Sequence, residues 1–270
     1  MSDLKVTIAG AGGRMGAANI RAVAATPGLV LHSAFDRPGS PAIGRDAGEY
    51  AGLGTLGVVI SDSPEAALPG SEAIVDFTAP AVSVALAHLA AQRGLVHIIG
   101  TTGCAGADDI AIRTSALNGA RIVKSGNFSL GVNVLVGLVR QAAKALPNYD
   151  IEIVEMHHRR KVDAPSGTAL MLGHAAAEAR HIDLERAAVR TRDGHTGARP
   201  EGAIGFESLR GGTVIGDHTV ILAGDNERIE LTHRAEDRAM FAAGAMQALL
   251  WARGRGAGLY SMADVLGFES

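Results

Sequence analysis

Two adjacent histidines, two arginines and a lysine, residues 157–161, stand between a short apolar run at 151–154 and the sequence Pro165, Ser166, Gly167, Thr168. So much positive charge at one turn calls for an anion. The alanine-rich run that follows, 169–180, favours a helix, so Ser166, Gly167 and Thr168 open it. The first N–H groups of a helix lack intrahelical partners and sit at the positive end of its dipole, where they can hold a carboxylate or phosphate. A strand, a loop and a helix start would therefore bring cations and donors into one pocket.

Other readings of these residues are weaker. His157 and His158 as a metal pair would have to share a side, yet adjacent strand residues point to opposite faces, and no HExxH or Cys/His spacing accompanies them. No metal is expected. Arg159, Arg160 and Lys161 could mark a nucleic-acid surface, but the chain carries a net charge of −3 and has no second basic cluster or aromatic platform. Ser166 also suits a helix N-cap, a role compatible with ligand binding.

A second constellation lies near the start. A β-type run at 5–9 flows into Gly10, Ala11, Gly12, Gly13, Arg14, Met15 and Gly16, then a helical stretch at 17–25. This is the strand, glycine turn and helix of a dinucleotide-binding unit, although three residues rather than two separate Gly12 from the last glycine. The next strand, read at 29–35, ends at Asp36, where an acidic residue holds the ribose hydroxyls of NAD; Arg37 beside it can meet the 2′-phosphate of NADP. The pair predicts that NADH and NADPH both serve. As a bland alternative, Asp36 is a turn residue.

Strand-like runs at 58–60, 73–76, 96–99 and 121–124 continue the alternation with helices. Three of them end in polar turns: 77–80; Gly100, Thr101, Thr102 and Gly103; and Ser125, Gly126, Asn127 and Phe128. In an open parallel sheet the ligand lies beyond the carboxyl ends of the strands, so these turns should line one crevice, though each also suits a cap or tight turn. Residues 38–57 read as a loop with at most a short helix.

Beyond Phe128 the rhythm changes. A long helix at 130–146 precedes the basic stretch, a glycine-rich charged segment at 193–202 reads as a mobile loop, and strand-like runs at 204–210, 213–215, 218–223 and 228–233 suggest a meander with a turn at 224–227. A helix at 237–251 and a glycine-rich tail would return to the first domain. The expected fold is α/β: a Rossmann-like doubly wound parallel sheet at 1–128, a second α+β substrate-binding and oligomerisation domain at 129–238, and a C-terminal return at 239–270. With 270 residues, 47% hydrophobic and 4% aromatic, the chain can bury the core this needs. Cys104 is the only cysteine, excluding an internal disulfide. No apolar run approaches a membrane span of ~20 residues and no signal sequence opens the chain, so a cytoplasmic location is expected.

The runs EMHHRRKVDAPSGTAL, GAGGRMG, GTTG, GNFSLGVN and GLYSMADVLGF together resemble the dihydrodipicolinate reductase family, and the likeness covers nearly the whole chain. The first run is long and peculiar to that family. The resemblance implies delivery of a hydride from NADH or NADPH to a cyclic imine-type dicarboxylate, with loss of water, in the diaminopimelate route to lysine. It implies His157 as general acid/base and Lys161 as proton donor, with His158, Ser166, Gly167 and Thr168 on the substrate carboxylates. Cofactor contacts would come from Gly10, Ala11, Gly12, Gly13, Arg14, Met15, Asp36, Arg37, Gly100, Thr101, Thr102, Ser125, Gly126, Asn127 and Phe128. A homotetramer joined through the sheets of the second domain is also implied. The family often carries a histidine immediately before the lysine; here Arg160 keeps the positive charge. Two other readings are a different nicotinamide-dependent reductase of an amino or keto dicarboxylate and an NAD-binding redox sensor. Substrate-dependent NADPH oxidation separates the first, and the cation-rich loop argues against the second.

Overall fold

A computed structural model of the chain describes residues 2–268. It divides into two compact units, one formed by residues up to Ser129 with those from Ala239 onward, the other by Leu130–Arg238. The first unit thus closes one residue beyond the expected boundary at Phe128, because Leu130 opens a helix and Ser129 belongs to the turn before it.

In chain order the first unit holds β1 (Leu4–Ala9), α1 (Arg14–Ala25), β2 (Leu29–Phe35), α2 (Ala47–Ala51), β3 (Ile60–Ser61), α3 (Pro64–Ala67), β4 (Ala73–Asp76), α4 (Pro80–Arg93), β5 (Val96–Ile99), α5 (Gly106–Leu117) and β6 (Arg121–Lys124). The second holds α6 (Leu130–Ala145), β7 (Asp150–His157), α7 (Gly167–Ala179), α8 (Leu184–Ala187), β8 (Ala188–Val189), β9 (Ile204–Arg210), β10 (Asp217–Ala223) and β11 (Arg228–Arg234). The chain ends in α9 (Ala239–Ala252), β12 (Gly258–Tyr260) and α10 (Met262–Leu266), back in the first unit; residues 269 and 270 of the expected return lie outside the described residues.

The first sheet is parallel, in the order β12-β6-β5-β4-β1-β2-β3. Strands β4 and β5 are buried at every position, as they must be when helices cover both faces. From β1 the order runs one way to β2 and the other way to β5, so right-handed crossovers lay α1 and α4 on opposite faces. The direction reverses between β1 and β4, which makes that edge the switch point where such sheets take ligands. The expected doubly wound sheet is present, with β12 as an added strand beside β6.

The second sheet, in the order β11-β10-β7-β9-β8, departs from the expected meander. Strand β7 inserts between β9, which it pairs in parallel, and β10, which it pairs antiparallel. Strand propensity names the strands but not their partners, and only β10 and β11 form the hairpin, closed by Gly224 N donating to Glu227 O at 2.9 Å. The run at 213–215 is loop, flanked by Gly212 and Gly216. The charged segment after β8 is tied to β7: Arg192 is bidentate on Glu152, and Arg199 reaches Asp150 and Glu152. One face of the sheet, including Ile151, Ile153, Phe206 and Val220, packs on Leu135, Val139, Leu172 and Ala176 of α6 and α7.

Candidate active site

In the first unit the glycine turn brings β1 into α1. A side chain at Gly12 would put its Cβ 2.2 Å from Asp36 Oδ2, and one at Gly16 would sit 2.1 Å from Gly10 O. The longer spacing therefore still places a glycine where the helix crosses the turn. Gly13 is the N-cap of α1 and has no side chain to offer its first N–H groups, around Arg14 and Met15, which leaves them to a ligand. Asp36 accepts from Gly12 N at 3.1 Å and Ser40 Oγ at 2.7 Å on one oxygen, and from Arg37 N at 2.8 Å on the other, which keeps acceptor capacity. Gly10, Gly12, Gly13, Asp36, Arg37 and Ser40 wall a cleft of about 870 Å³ that continues along Phe77, Thr78 and the α4 residues Val82 and Leu86.

The neighbouring strand ends are joined by a buried polar network that sequence reading missed. Asp76 Oδ1 accepts from Thr78 N at 3.0 Å and Thr78 Oγ1 at 2.6 Å, while its Oδ2 lies 3.3 Å from His97 Nε2. Burial pushes the Asp76 carboxyl up, but His97 and the hydroxyls around it outweigh this and hold it low. Thr101 Oγ1 accepts from Thr78 N at 3.0 Å and Ser83 Oγ at 2.7 Å, fixing the turn of Gly100 and Thr102 to that of Thr78. Ser125 Oγ donates to Asn127 O at 2.7 Å, and the buried Phe128 ring meets Phe77 at 5.6 Å, bringing the turn containing Gly126 to the same end of the sheet. The tertiary fold thus gathers all three turns expected to line a crevice.

In the second unit, alternation along β7 sends Ile151, Ile153, Glu155 and His157 to the core face. The last two inward positions are polar, and neighbouring elements satisfy them. Glu155, with a side chain only 1% exposed, takes Arg210 Nη1 and Nη2 at 2.8 and 2.9 Å, Ser166 N at 3.2 Å and His157 Nδ1 at 2.5 Å. Burial acts to raise the Glu155 carboxyl; the Arg210 guanidinium and His157 outweigh it and leave it below the usual carboxylate range. His218 stands opposite Glu155 on β10, with Nε2 2.9 Å from Ser166 Oγ and its ring edge-on to His157 at 5.1 Å. Burial first, and the neighbouring His157 second, push it down to about 4, so it is neutral at pH 7.

Ser166 is more committed than its sequence suggests. Its Oγ accepts from Ala169 N at 3.1 Å as N-cap of α7, and its own N–H goes to Glu155. Gly167 is exposed and Thr168 half-buried at the outside of that turn. Lys161 Nζ lies 2.8 Å from both oxygens of Asp163, and His158, on the opposite side of the strand from His157, accepts from Arg160 N at 3.2 Å. Burial and then the charges of Arg238 and Arg160 hold His158 low. The glycine loop after β9 crosses this end: Gly211 N donates to His157 O at 2.9 Å, and a side chain at Gly216 would come within 3.0 Å of His157 Nε2. Glu155, Arg210 and His218 were missed by sequence reading, yet one signal was present: two polar residues at the inward parity of an otherwise apolar strand.

A parallel sheet with a glycine turn and an acidic residue ending β2 suits a dinucleotide, and a separate unit carries buried acid–base groups beside cations. That combination defines the class of nicotinamide-dependent oxidoreductases. Residues 4–128 match the family model for the dihydrodipicolinate reductase N-terminus, and residues 131–266 that for its C-terminus. The chain is 58% identical to the 4-hydroxy-tetrahydrodipicolinate reductase of Rhizobium rhizogenes over the full length of both, and 60% identical to that of Rhodopseudomonas palustris, covering 99% of this chain and 98% of that one. A dipicolinate-bound dihydrodipicolinate reductase from Paenisporosarcina superposes with a TM-score of 0.78 at 22% identity, over 96% of this chain and 97% of that one. The chain belongs to the dihydrodipicolinate reductase family.

Proposed function

We propose that the chain reduces 4-hydroxy-tetrahydrodipicolinate to tetrahydrodipicolinate, consuming one hydride and one proton and releasing one water, in the diaminopimelate route to lysine. The observation that carries this reading is the second unit's cluster, in which a buried carboxylate orients His157 while Lys161 stands in the adjoining basic loop. NADH or NADPH, when bound, supplies the hydride; Gly10, Ala11, Gly12, Gly13, Arg14 and Met15 would hold its pyrophosphate, Asp36 and Arg37 its ribose. The turns of Gly100, Thr101 and Thr102 and of Ser125, Gly126, Asn127 and Phe128 would bound the rest.

Glu155 occupies His157 Nδ1, which leaves Nε2 as the nitrogen available for proton exchange. Arg210 keeps Glu155 anionic, so the carboxylate holds the ring without competing for the proton. Lys161 donates a proton to the reduced product, with Asp163 holding its ammonium in place between turnovers. Gly167 and Thr168, with His158 and the Ser166 turn, receive a substrate carboxylate at the positive end of α7. A complex with pyridine-2,6-dicarboxylate in which both carboxylates lie elsewhere would overturn that last assignment. Dipicolinate is bound in the Paenisporosarcina relative, which supports a dicarboxylate ligand.

The reading is tested by steady-state kinetics of His157→Ala and Lys161→Ala in an assay coupled to the preceding synthase. Each should lose about 100- to 10,000-fold in kcat while cofactor affinity, measured by fluorescence, stays near wild type. Near-native turnover in either variant removes that residue from the mechanism.

The assembly proposed is a homotetramer built on the second sheet. Its outer face carries Val154 and Met156, half-buried, and Leu209, 50% exposed, on adjacent strands, an apolar surface that a second copy would cover. A cytoplasmic location accompanies the biosynthetic role; among the described residues no helix is long and apolar enough to cross a membrane.

A further inference from the structure

At the β2–β3 end of the cleft the walls carry more negative than positive charge. Phe35 pairs with Ser61, and Asp36 N donates to Ser61 O at 3.0 Å, so Asp36 and Asp62 leave the sheet side by side. Glu65, in the first turn of α3, lines the same cleft. Ser63 Oγ donates to its carboxylate at 2.7 Å and, with a smaller contribution from Arg93, holds it below the usual carboxylate range. Against these three carboxylates the described walls bring one cation, Arg37. Asp62 and Glu65 are exposed and support no part of the core.

NADH and NADPH differ only at the adenosine ribose, where NADPH carries a 2′-phosphate with a charge of about −1.5 to −2. A free 2′-hydroxyl can donate to Asp36, whereas a phosphate there meets an excess of negative charge. We infer that Asp62 and Glu65 are specificity-determining residues which, with Asp36, make the chain take NADH in preference to NADPH. The inference rests on reading this cleft as the nicotinamide-dinucleotide site. Arg37 neutralises part of the 2′-phosphate, so NADPH is still bound; the two additional carboxylates set the ratio.

The test is equilibrium titration of the full chain with NADH and with NADPH, read by reduced-nicotinamide fluorescence at low ionic strength without substrate. Wild type, Asp62→Asn, Glu65→Gln and the double variant are compared. Wild type should bind NADH about tenfold tighter or more, and the double variant should lower the ratio of the two dissociation constants by about tenfold, each single variant contributing part. Added salt should compress the wild-type ratio, because these groups are exposed. Equal or tighter NADPH binding by wild type, or a ratio that the double variant leaves within about threefold of wild type, overturns the assignment. Binding of neither nucleotide refutes the cleft reading itself, which separates the two failures. Competition by 5′-AMP and 2′,5′-ADP repeats the comparison at the ribose end alone, with the same ranking expected.

Discussion

Arg210→Met removes a guanidinium from a buried carboxylate and keeps an unbranched stem to fill its place. Glu155 then retains His157 and Ser166 N, at 2.5 and 3.2 Å, together with the Ser208 hydroxyl. Removing one half of a buried ion pair typically costs about 3–5 kcal/mol because the other charge is left without compensation. Arg210 is itself 21% exposed in its side chain and three partners of Glu155 remain, so about 2–3 kcal/mol is expected here. Adding Glu155→Gln removes the stranded charge and should recover part of the loss, a coupling of about 1–3 kcal/mol. The pH dependence has a definite sign. In wild type the folded-state pKa of Glu155 is depressed, so its contribution is present above the unfolded carboxylate pKa and lost as pH falls through the lower folded value. Without Arg210, burial is opposed only by His157 and the hydrogen bonds from Ser208 and Ser166, the folded pKa rises, and the sign reverses. The single variant should be most penalised near neutral pH and gain on the double variant as pH falls. Urea denaturation followed by far-UV circular dichroism, at pH 7.5 and 5 and at fixed protomer concentration, measures both effects. A loss below about 0.5 kcal/mol, or single-variant losses that simply add in the double variant, would refute the buried-pair argument.

Arg37→Ala should weaken NADPH more than NADH, by the ~1.5–3 kcal/mol typical of hydrogen bonds to charged groups; equal losses in fluorescence titrations would remove Arg37 from the 2′-phosphate. His218, with a folded pKa of about 4, should stay neutral in NMR titrations down to about pH 5, and a ring resonance that titrates near 6.5 contradicts its burial. Because that pKa is depressed, the unfolded chain takes the proton first, and about 3 kcal/mol of stability should be lost as pH falls from 6.5 to 4. Light scattering at micromolar protomer concentration should give a tetramer; a stable monomer rules out the proposed assembly.

Much of the architecture could be read along the chain because its signals are local. The run of Gly10, Gly12 and Gly16 before a helix marks a tight turn from strand to helix, and the runs at 73–76, 96–99 and 121–124 are each followed by a polar turn. The helix at Gly167 announces itself by Ser166 as N-cap and the alanines after it. The basic residues before it announce a concentration of positive charge by composition alone. Local signals also place Asp36 at the end of β2, since twenty-odd residues from a glycine turn is the length of one helix and one strand.

Contacts between distant segments were not legible in this way. Nothing in residues 204–234 says that β7 will enter between β9 and β10, because hydrogen-bond partners across a sheet are chosen by how whole elements pack. That choice puts Arg210 and His218 on either side of Glu155, and it turns a strand with two misplaced polar residues into a satisfied, buried cluster. The same holds for Asp76 and His97, 21 residues apart and joined only because β4 and β5 are neighbours. Element types, the glycine turn and the residue chemistry available at each strand end follow from local sequence, because each depends on residues adjacent along the chain. Tertiary structure alone decided which charges face each other, because ionisation and orientation in a low-dielectric interior depend on neighbours that pairing brings within hydrogen-bond reach.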